Sequence, residues 1–211
     1  MSRYTNFAKH TQSKGIRKML INRFNQRFIE KLGCLIPPSG NVKLFDVGCG
    51  EGFMLNLVNQ QYPNVELYGC DINESAVNFA KQQVPKADLF VCDGSNINVP
   101  SHSFDVIVCT EVLEHVLEPE KILAEIKRVL KPGGSVLLSV PHEPFFMLGN
   151  LVSGRHIKTF GNHPEHVVHF SMRKLRKICN VYFEKMLITS VFPWIMVTTH
   201  LYKSQEKDDN I

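Results

Sequence analysis

Two groups of residues in this chain have the types and spacing for chemistry. The first is Asp46-Val47-Gly48-Cys49-Gly50-Glu51-Gly52, which follows the apolar run Val42–Val47. Glycines after a strand permit positive φ and allow a ligand close to the backbone. A helix that starts there points N–H groups at the turn. Asp71 closes the next apolar run, about 20 residues on, where a ribose-binding acid is expected. The second group is histidine. Five of the nine lie in 142–169 (His142, His156, His163, His166 and His169), and His115 follows another apolar run. Imidazole has roughly the right pKa to take a proton from an acceptor.

The glycine spacing discriminates between ligands. A dinucleotide site uses G-x-G-x-x-G to cradle a pyrophosphate. This chain has G-x-G-x-G with Asp46 directly before it. A carboxylate there repels pyrophosphate and accepts a hydrogen bond from an ammonium group. The expected ligand carries ribose hydroxyls and a cationic amine, and S-adenosylmethionine (SAM) has both.

Those residues need elements to hold them. Val42–Val47, Val65–Cys70, Ala87–Cys92, Phe104–Cys109 and Ser135–Val140 read as strands. Phe53–Gln61, Glu74–Gln83 and Pro119–Leu130 read as helices between them, and Pro132-Gly133-Gly134 stops the last. Such alternation implies a parallel sheet covered on both faces, with strand C-terminal ends along one edge. Ser171–Tyr182 reads as a helix capped by Ser171, and Met186–Val191 and Trp194–Tyr202 as two further strands.

The segments LFDVGCGEG, ELYGCDIN, FDVIVCTEVLEHV and EIKRVLKPGG, in that order across about 42–140, resemble successive motifs of class I SAM-dependent methyltransferases. TEVLEHV resembles the ubiquinone and menaquinone type, and VPHEPFFMLGNL through GNHPEHVVHF resembles a small bacterial methyltransferase subgroup. The resemblance implies an α/β, doubly wound, Rossmann-like fold with a seven-stranded, mostly parallel sheet and an antiparallel last strand. It implies that Asp46, Gly48, Cys49 and Gly50 face the methionine part of the cofactor. Asp71 would hold the ribose, with Ile72 beside the adenine. Asp93 and Gly94 would meet the adenine amine, and Thr110 and Glu111 would form the floor beneath the sulfonium. Asp93-Gly94 also suits a plain Asx-turn, and Glu111 and Glu114 also suit the start of a helix.

The expected organisation is a single methyltransferase domain over 1–211. It comprises a basic helical lid (1–36), a SAM-binding core (42–140), a substrate cap (141–170), a C-terminal helix and hairpin (171–202) and a tail (203–211). The candidate general bases are His115, His142, His163 and His166. His163, Glu165, His166 and His169 have metal-binding chemistry, but Pro164 breaks a helical H-x-x-H face, so no metal is expected. The expected reaction is methyl transfer, at oxygen, to a small-molecule, glycan or lipid-linked acceptor. A quinone-pathway enzyme at a membrane surface and a non-catalytic SAM-binding partner protein are the alternatives.

Composition sets outer limits. With 211 residues, 44% hydrophobic and 21% charged, the chain has an ordinary globular balance. No CxxC pair occurs among its six cysteines, and no apolar run is long enough to span a bilayer. A cytoplasmic protein is expected. Residues 1–31 hold eight Lys or Arg and one acid, on a body that is net acidic. That arm is expected to act as a lid or acceptor-steering element first and a membrane contact second. No nucleic-acid partner is expected, because no aromatic-and-basic platform is evident. Neither N/D-P-P-Y/F nor a Pro-Cys nucleophile follows the fourth strand, which argues against DNA-base methylation.

Overall fold

The computed structural model describes residues 13–38, 40–143, 145 and 166–199. His163, His156 and most of the expected cap, the first twelve residues and the C-terminal tail lie outside the described residues.

The elements follow the alternation of apolar runs. Helix α1 (Gly15–Gly33) precedes β1 (Lys43–Val47), α2 (Phe53–Gln61), β2 (Glu66–Asp71), α3 (Glu74–Gln83), β3 (Asp88–Val91) and β4 (Phe104–Thr110). A short 3-10 turn at Leu113–His115 leads to α4 (Pro119–Val129) and β5 (Leu130–Pro141). Helix α5 (Met172–Cys179) and the hairpin β6 (Met186–Val191) and β7 (Trp194–Thr199) complete it.

The seven strands form one sheet in the order β3-β2-β1-β4-β5-β7-β6. β1 pairs in parallel with β2 and β4, β2 with β3, and β4 with β5. β7 runs antiparallel to both β5 and β6, as the last strand was expected to. Two apolar layers cover the sheet. One contains Phe24, Phe28 and Leu32 of α1 with Leu55 and Val58 of α2, and the other Ile122, Leu123 and Ile126 of α4 with Leu175 of α5. Each such fully buried side chain stabilises the fold by about 1.5–3 kcal/mol relative to exposure.

Local chemistry fixes the boundaries. Pro119 opens α4, where its missing N–H costs nothing. Ser171 caps α5 as expected, its hydroxyl accepting the Lys174 N–H at 3.2 Å. Two expectations shift. β5 starts at Leu130, not Ser135, because Pro132-Gly133-Gly134 forms a bulge inside the strand, with the register slipping between Phe104 and Val106. Helix α5 ends at Cys179, before Tyr182.

Strand order reverses between β1 and β4, whose neighbours run outward in opposite directions. In such sheets a crevice opens at the strand C-terminal ends on either side of the reversal, and ligands bind there.

Candidate functional site

β1 ends at Val47, and the chain turns sharply through Gly48, whose φ is +76°. A Cβ on Gly48 would lie 2.3 Å from Cγ2 of Val112. The turn after β1 is therefore pressed against the loop after β4, across the reversal. Gly52 precedes α2 with φ +78°, and a Cβ there would meet the Cβ of Ala80 at 2.9 Å and its Cα at 3.1 Å. Gly52→Ala combines left-handed strain with a clash against backbone. It is expected to cost about 2–5 kcal/mol, read as a lowered urea midpoint.

The turn's own amides are largely committed. The N–H groups of Gly48 and Cys49 donate to the Cys70 carbonyl at 2.8 and 2.9 Å, and that of Gly52 to the Cys49 carbonyl at 2.9 Å. The Gly50 N–H donates to Oδ2 of Asp71 at 2.8 Å. These turn amides form no open anion cradle, which agrees with a ligand lacking pyrophosphate. The Cys49 side chain points from the turn into the core. Its thiol is buried in the α1–α2 layer, and burial pushes its pKa well up.

Asp46 is the notable group. Its side chain is 2% exposed, and Oδ1 has no hydrogen-bond partner among the described residues. Burial, then the nearby Asp71 carboxylate, pushes its pKa up to about 8. A buried carboxylate without a cation costs several kcal/mol, so a ligand ammonium is a natural partner. Asp71 also accepts the Asn73 N–H at 2.9 Å, so both its oxygens are oriented by backbone. Ile72 beside it is 73% exposed, an apolar surface suited to a flat ring. Asp93 does form the Asx-turn, its Oδ1 accepting the Ser95 N–H at 2.8 Å, and Gly94 lies close against Val47. Thr110 ends β4, and Glu111 follows with φ 58°, a conformation that costs a non-glycine residue about 1–2 kcal/mol. Such strain clusters at functional sites.

The histidines gather beside this turn. The carbonyl of Glu114 accepts the N–H groups of Val167 and Val168 at 2.9 and 3.1 Å, which ties the returning segment to the 3-10 turn. The Glu143 N–H donates to the Phe170 carbonyl at 3.0 Å, and the His142 N–H to the Pro193 carbonyl at 2.9 Å. Three loops are thereby joined. His115 and His166 meet edge to face with ring centroids 5.1 Å apart. Oε1 of Glu143 lies 3.8 Å from Nδ1 of both His166 and His169. The His166 side chain is only 6% exposed. His142 stands apart from this pair, edge to face with Phe145 at 5.0 Å, and burial lowers its pKa.

The structure thus brings together His115 and His166 of the expected bases. It adds Glu114, fully buried, which the sequence showed only as a helix-start acid, and joins to them Glu143, which follows the fifth strand beside His142 as a further base candidate. One ligand atom from each of Glu114, His115 and His166 lies within 4.8 Å of the others, a set able to hold a metal ion. Among the described residues this is the metal-capable set; His163 and Glu165 lie outside them.

Comparison with known proteins agrees with this geometry. Residues 45–138 match the family model described as a methyltransferase domain. The matched stretch contains the glycine turn, Asp71, Asp93 and the end of β4. Over that stretch the chain is similar to methyltransferase domains. SAM is the cofactor that such a domain implies, and Asp46, with no partner for Oδ1 among the described residues, and the backbone-oriented Asp71 have the chemistry to receive it.

A probable S-adenosylmethionine-dependent methyltransferase of Mycolicibacterium smegmatis is 31% identical over 106 residues, covering 50% of this chain and 40% of that protein. A ubiquinone biosynthesis O-methyltransferase of Azoarcus sp. is 33% identical over 109 residues, covering 49% and 46%. The chain thus spans about half the length of these relatives. The PH0226 protein of Pyrococcus horikoshii superposes with a TM-score of 0.67 at 16% identity, covering 92% of this chain and 95% of that one, which shows the fold. Among the described residues, no helix is long and apolar enough to cross a membrane.

Proposed function

We propose that the protein moves a methyl group from SAM to an oxygen of a small-molecule, glycan or lipid-linked acceptor. The observation that carries the oxygen assignment is the Glu114–His115–His166–Glu143 cluster, joined from three loops at the edge where β4 and β5 end. A hydroxyl acceptor needs a group that takes its proton, and a carboxylate acceptor does not.

SAM, when bound, supplies a methyl group already activated on a sulfonium. The protein then has to bind, align and keep water out. Asp46 holds the ammonium and Asp71 the ribose hydroxyls, while Ile72 covers one side of the adenine. Thr110 and Glu111 line the floor between the cofactor turn and the histidines. His166, with Glu143 at its Nδ1, is the best-shielded of the described candidate bases, and it accepts the acceptor's proton.

A second reading rests on the same cluster. Glu114, His115 and His166 would hold a divalent cation, and the chemistry it would supply is Lewis-acid activation of the acceptor hydroxyl. The likeness to ubiquinone biosynthesis O-methyltransferases supports a quinone-pathway acceptor.

One assay tests both. Purified protein is incubated with methyl-labelled SAM and a panel of phenolic, sugar and aliphatic hydroxyl acceptors, with and without EDTA. Labelled ether product that is indifferent to EDTA supports the histidine base. Product lost with EDTA and restored by a divalent metal supports the metal. Absence of product with every acceptor, despite SAM binding, would leave the protein a SAM-binding partner and overturn the proposal.

A further inference from the structure

Helix α1 is oriented by two contacts. Lys31 Nζ donates to Oγ1 of Thr189 within β6 at 2.9 Å. One helical stretch earlier, the Phe24 ring meets Trp194 at 4.9 Å, and Trp194 pairs with Pro141 at the end of β5. The helix therefore runs backwards toward the functional edge. At 1.5 Å per residue, the nine residues Gly15–Arg23 add up to about 13 Å of helix in that direction, with Ile21 still packed in the layer on the sheet.

The outer face of this stretch is unusual. Ile21, Phe24, Phe28 and Leu32 are buried on the side facing the sheet. Met19 lies at the middle of the opposite face, 62% exposed, and Ile16 beside it is 74% exposed. Lys14, Lys18 and Arg23 are exposed around them, with no ion-pair partner among the described residues. By contrast Arg27 is paired with Glu30 at 2.8 Å, and Lys31 is turned to Thr189. Residues 13–34 hold six bases and one acid. Gly15, Lys18, Met19, Asn22, Arg23 and Gln26 line a shallow groove of about 490 Å³ on this face.

We infer that this face of α1 docks on an anionic lipid surface. Met19 and Ile16 enter the boundary between headgroups and acyl chains, while Lys14, Lys18 and Arg23 meet lipid phosphates. A helix with apolar residues among cations lies in a membrane interface rather than crossing it. Charge complementarity sets the sign of the lipid, because Lys14, Lys18 and Arg23 have no ion-pair partner among the described residues. Lipid is favoured over nucleic acid because the exposed face carries two aliphatic side chains and no aromatic ring for bases to stack on. The docked face stands beside the functional edge, so a lipid-linked acceptor would reach the histidine cluster without leaving the bilayer surface.

The test is co-sedimentation with phosphatidylglycerol-containing and pure phosphatidylcholine vesicles at low and high salt. The full chain is compared with Lys14→Glu/Lys18→Glu/Arg23→Glu and with Ile16→Ser/Met19→Ser. Binding to the anionic vesicles alone is expected, weakened by salt. The triple variant should lose about a hundredfold or more, and the apolar pair should also weaken it. SAM affinity, read separately by calorimetry, should stay unchanged in both variants. That readout reports the fold and the cofactor site independently of docking. Equal binding to neutral vesicles, or full binding by the triple variant, overturns the inference. So does undiminished vesicle binding by Ile16→Ser/Met19→Ser together with equally tight binding of an oligonucleotide, which would make the face a general polyanion contact.

Discussion

Asp46→Asn is expected to weaken SAM binding about 10- to 150-fold, because it removes the carboxylate charge opposite the ligand ammonium. A hydrogen bond to a charged group contributes about 1.5–3 kcal/mol, and every 1.4 kcal/mol is about tenfold. The pH dependence gives a sharper signature. In the free protein, burial first and the Asp71 charge second raise the Asp46 pKa to about 8. Below that pH the free carboxyl is protonated, and binding a cationic amine favours the ionised form. Binding should therefore release a proton near neutral pH. Affinity should rise as pH approaches about 8 and fall again as the ligand's own amine loses its proton. Calorimetry in buffers of different ionisation enthalpy measures the released proton directly. Asp46→Asn should show neither proton release nor the rise in affinity. An unchanged proton count in the variant would mean that another group receives the amine.

The same shift acts on stability with the opposite sign. A folded-state pKa above the unfolded value means that the native state holds the extra proton. The stabilising contribution is full below about pH 4 and is lost as pH rises toward about 8. Asn resembles the neutral carboxyl, so the ligand-free variant should melt above the wild type on the alkaline side. Scanning calorimetry on both proteins without SAM reads that difference. The asparagine variant is thus expected to bind less well and to fold better.

The second large effect is at His166. His166→Ala is expected to lower kcat about 10²- to 10⁴-fold, the usual scale of a positioned acid–base group. SAM affinity should change little, since the groups assigned to the ligand ammonium and ribose are Asp46 and Asp71. Added imidazole restores part of the rate if the lost function is proton transfer. If the lost function is metal binding, the stoichiometry of bound divalent cation falls together with the rate, and Glu114→Gln shows the same loss. A His166→Ala enzyme with wild-type kcat would remove the cluster from the chemistry.

Comparison of particular elements shows which features local sequence encodes. The glycine turn, Asp71 at the end of β2 and Asp93 at the end of β3 were legible. Each sits at the end of an apolar run, where the period of two gives way to turn residues. The boundaries of α2 and α3 and the Ser171 cap followed from the same local signals. Glu114 and Glu143 were not legible as a pair. An acid in EVLEHV looks like a helix-start residue, and only the packing of segment 166–170 against the 3-10 turn buries it. The β5 bulge was missed for a similar reason. Pro-Gly-Gly usually stops an element, but here both flanks keep pairing with β4. Cys49 reads as part of the cofactor turn, yet its side chain turns into the core.

The sequence by itself determined the order of strands and helices, the cofactor turn and its acidic partner. All of these depend on residues within about 30 positions of one another and on local backbone preferences. Only the tertiary structure decided that Asp46 is buried beside Asp71, that His115 meets His166 across about fifty residues of chain, and that α1 runs toward the functional edge. Burial and long-range contact depend on how the layers close over the sheet. A linear pattern specifies which residues seek the core, and the packed fold sets which polar groups are carried in with them.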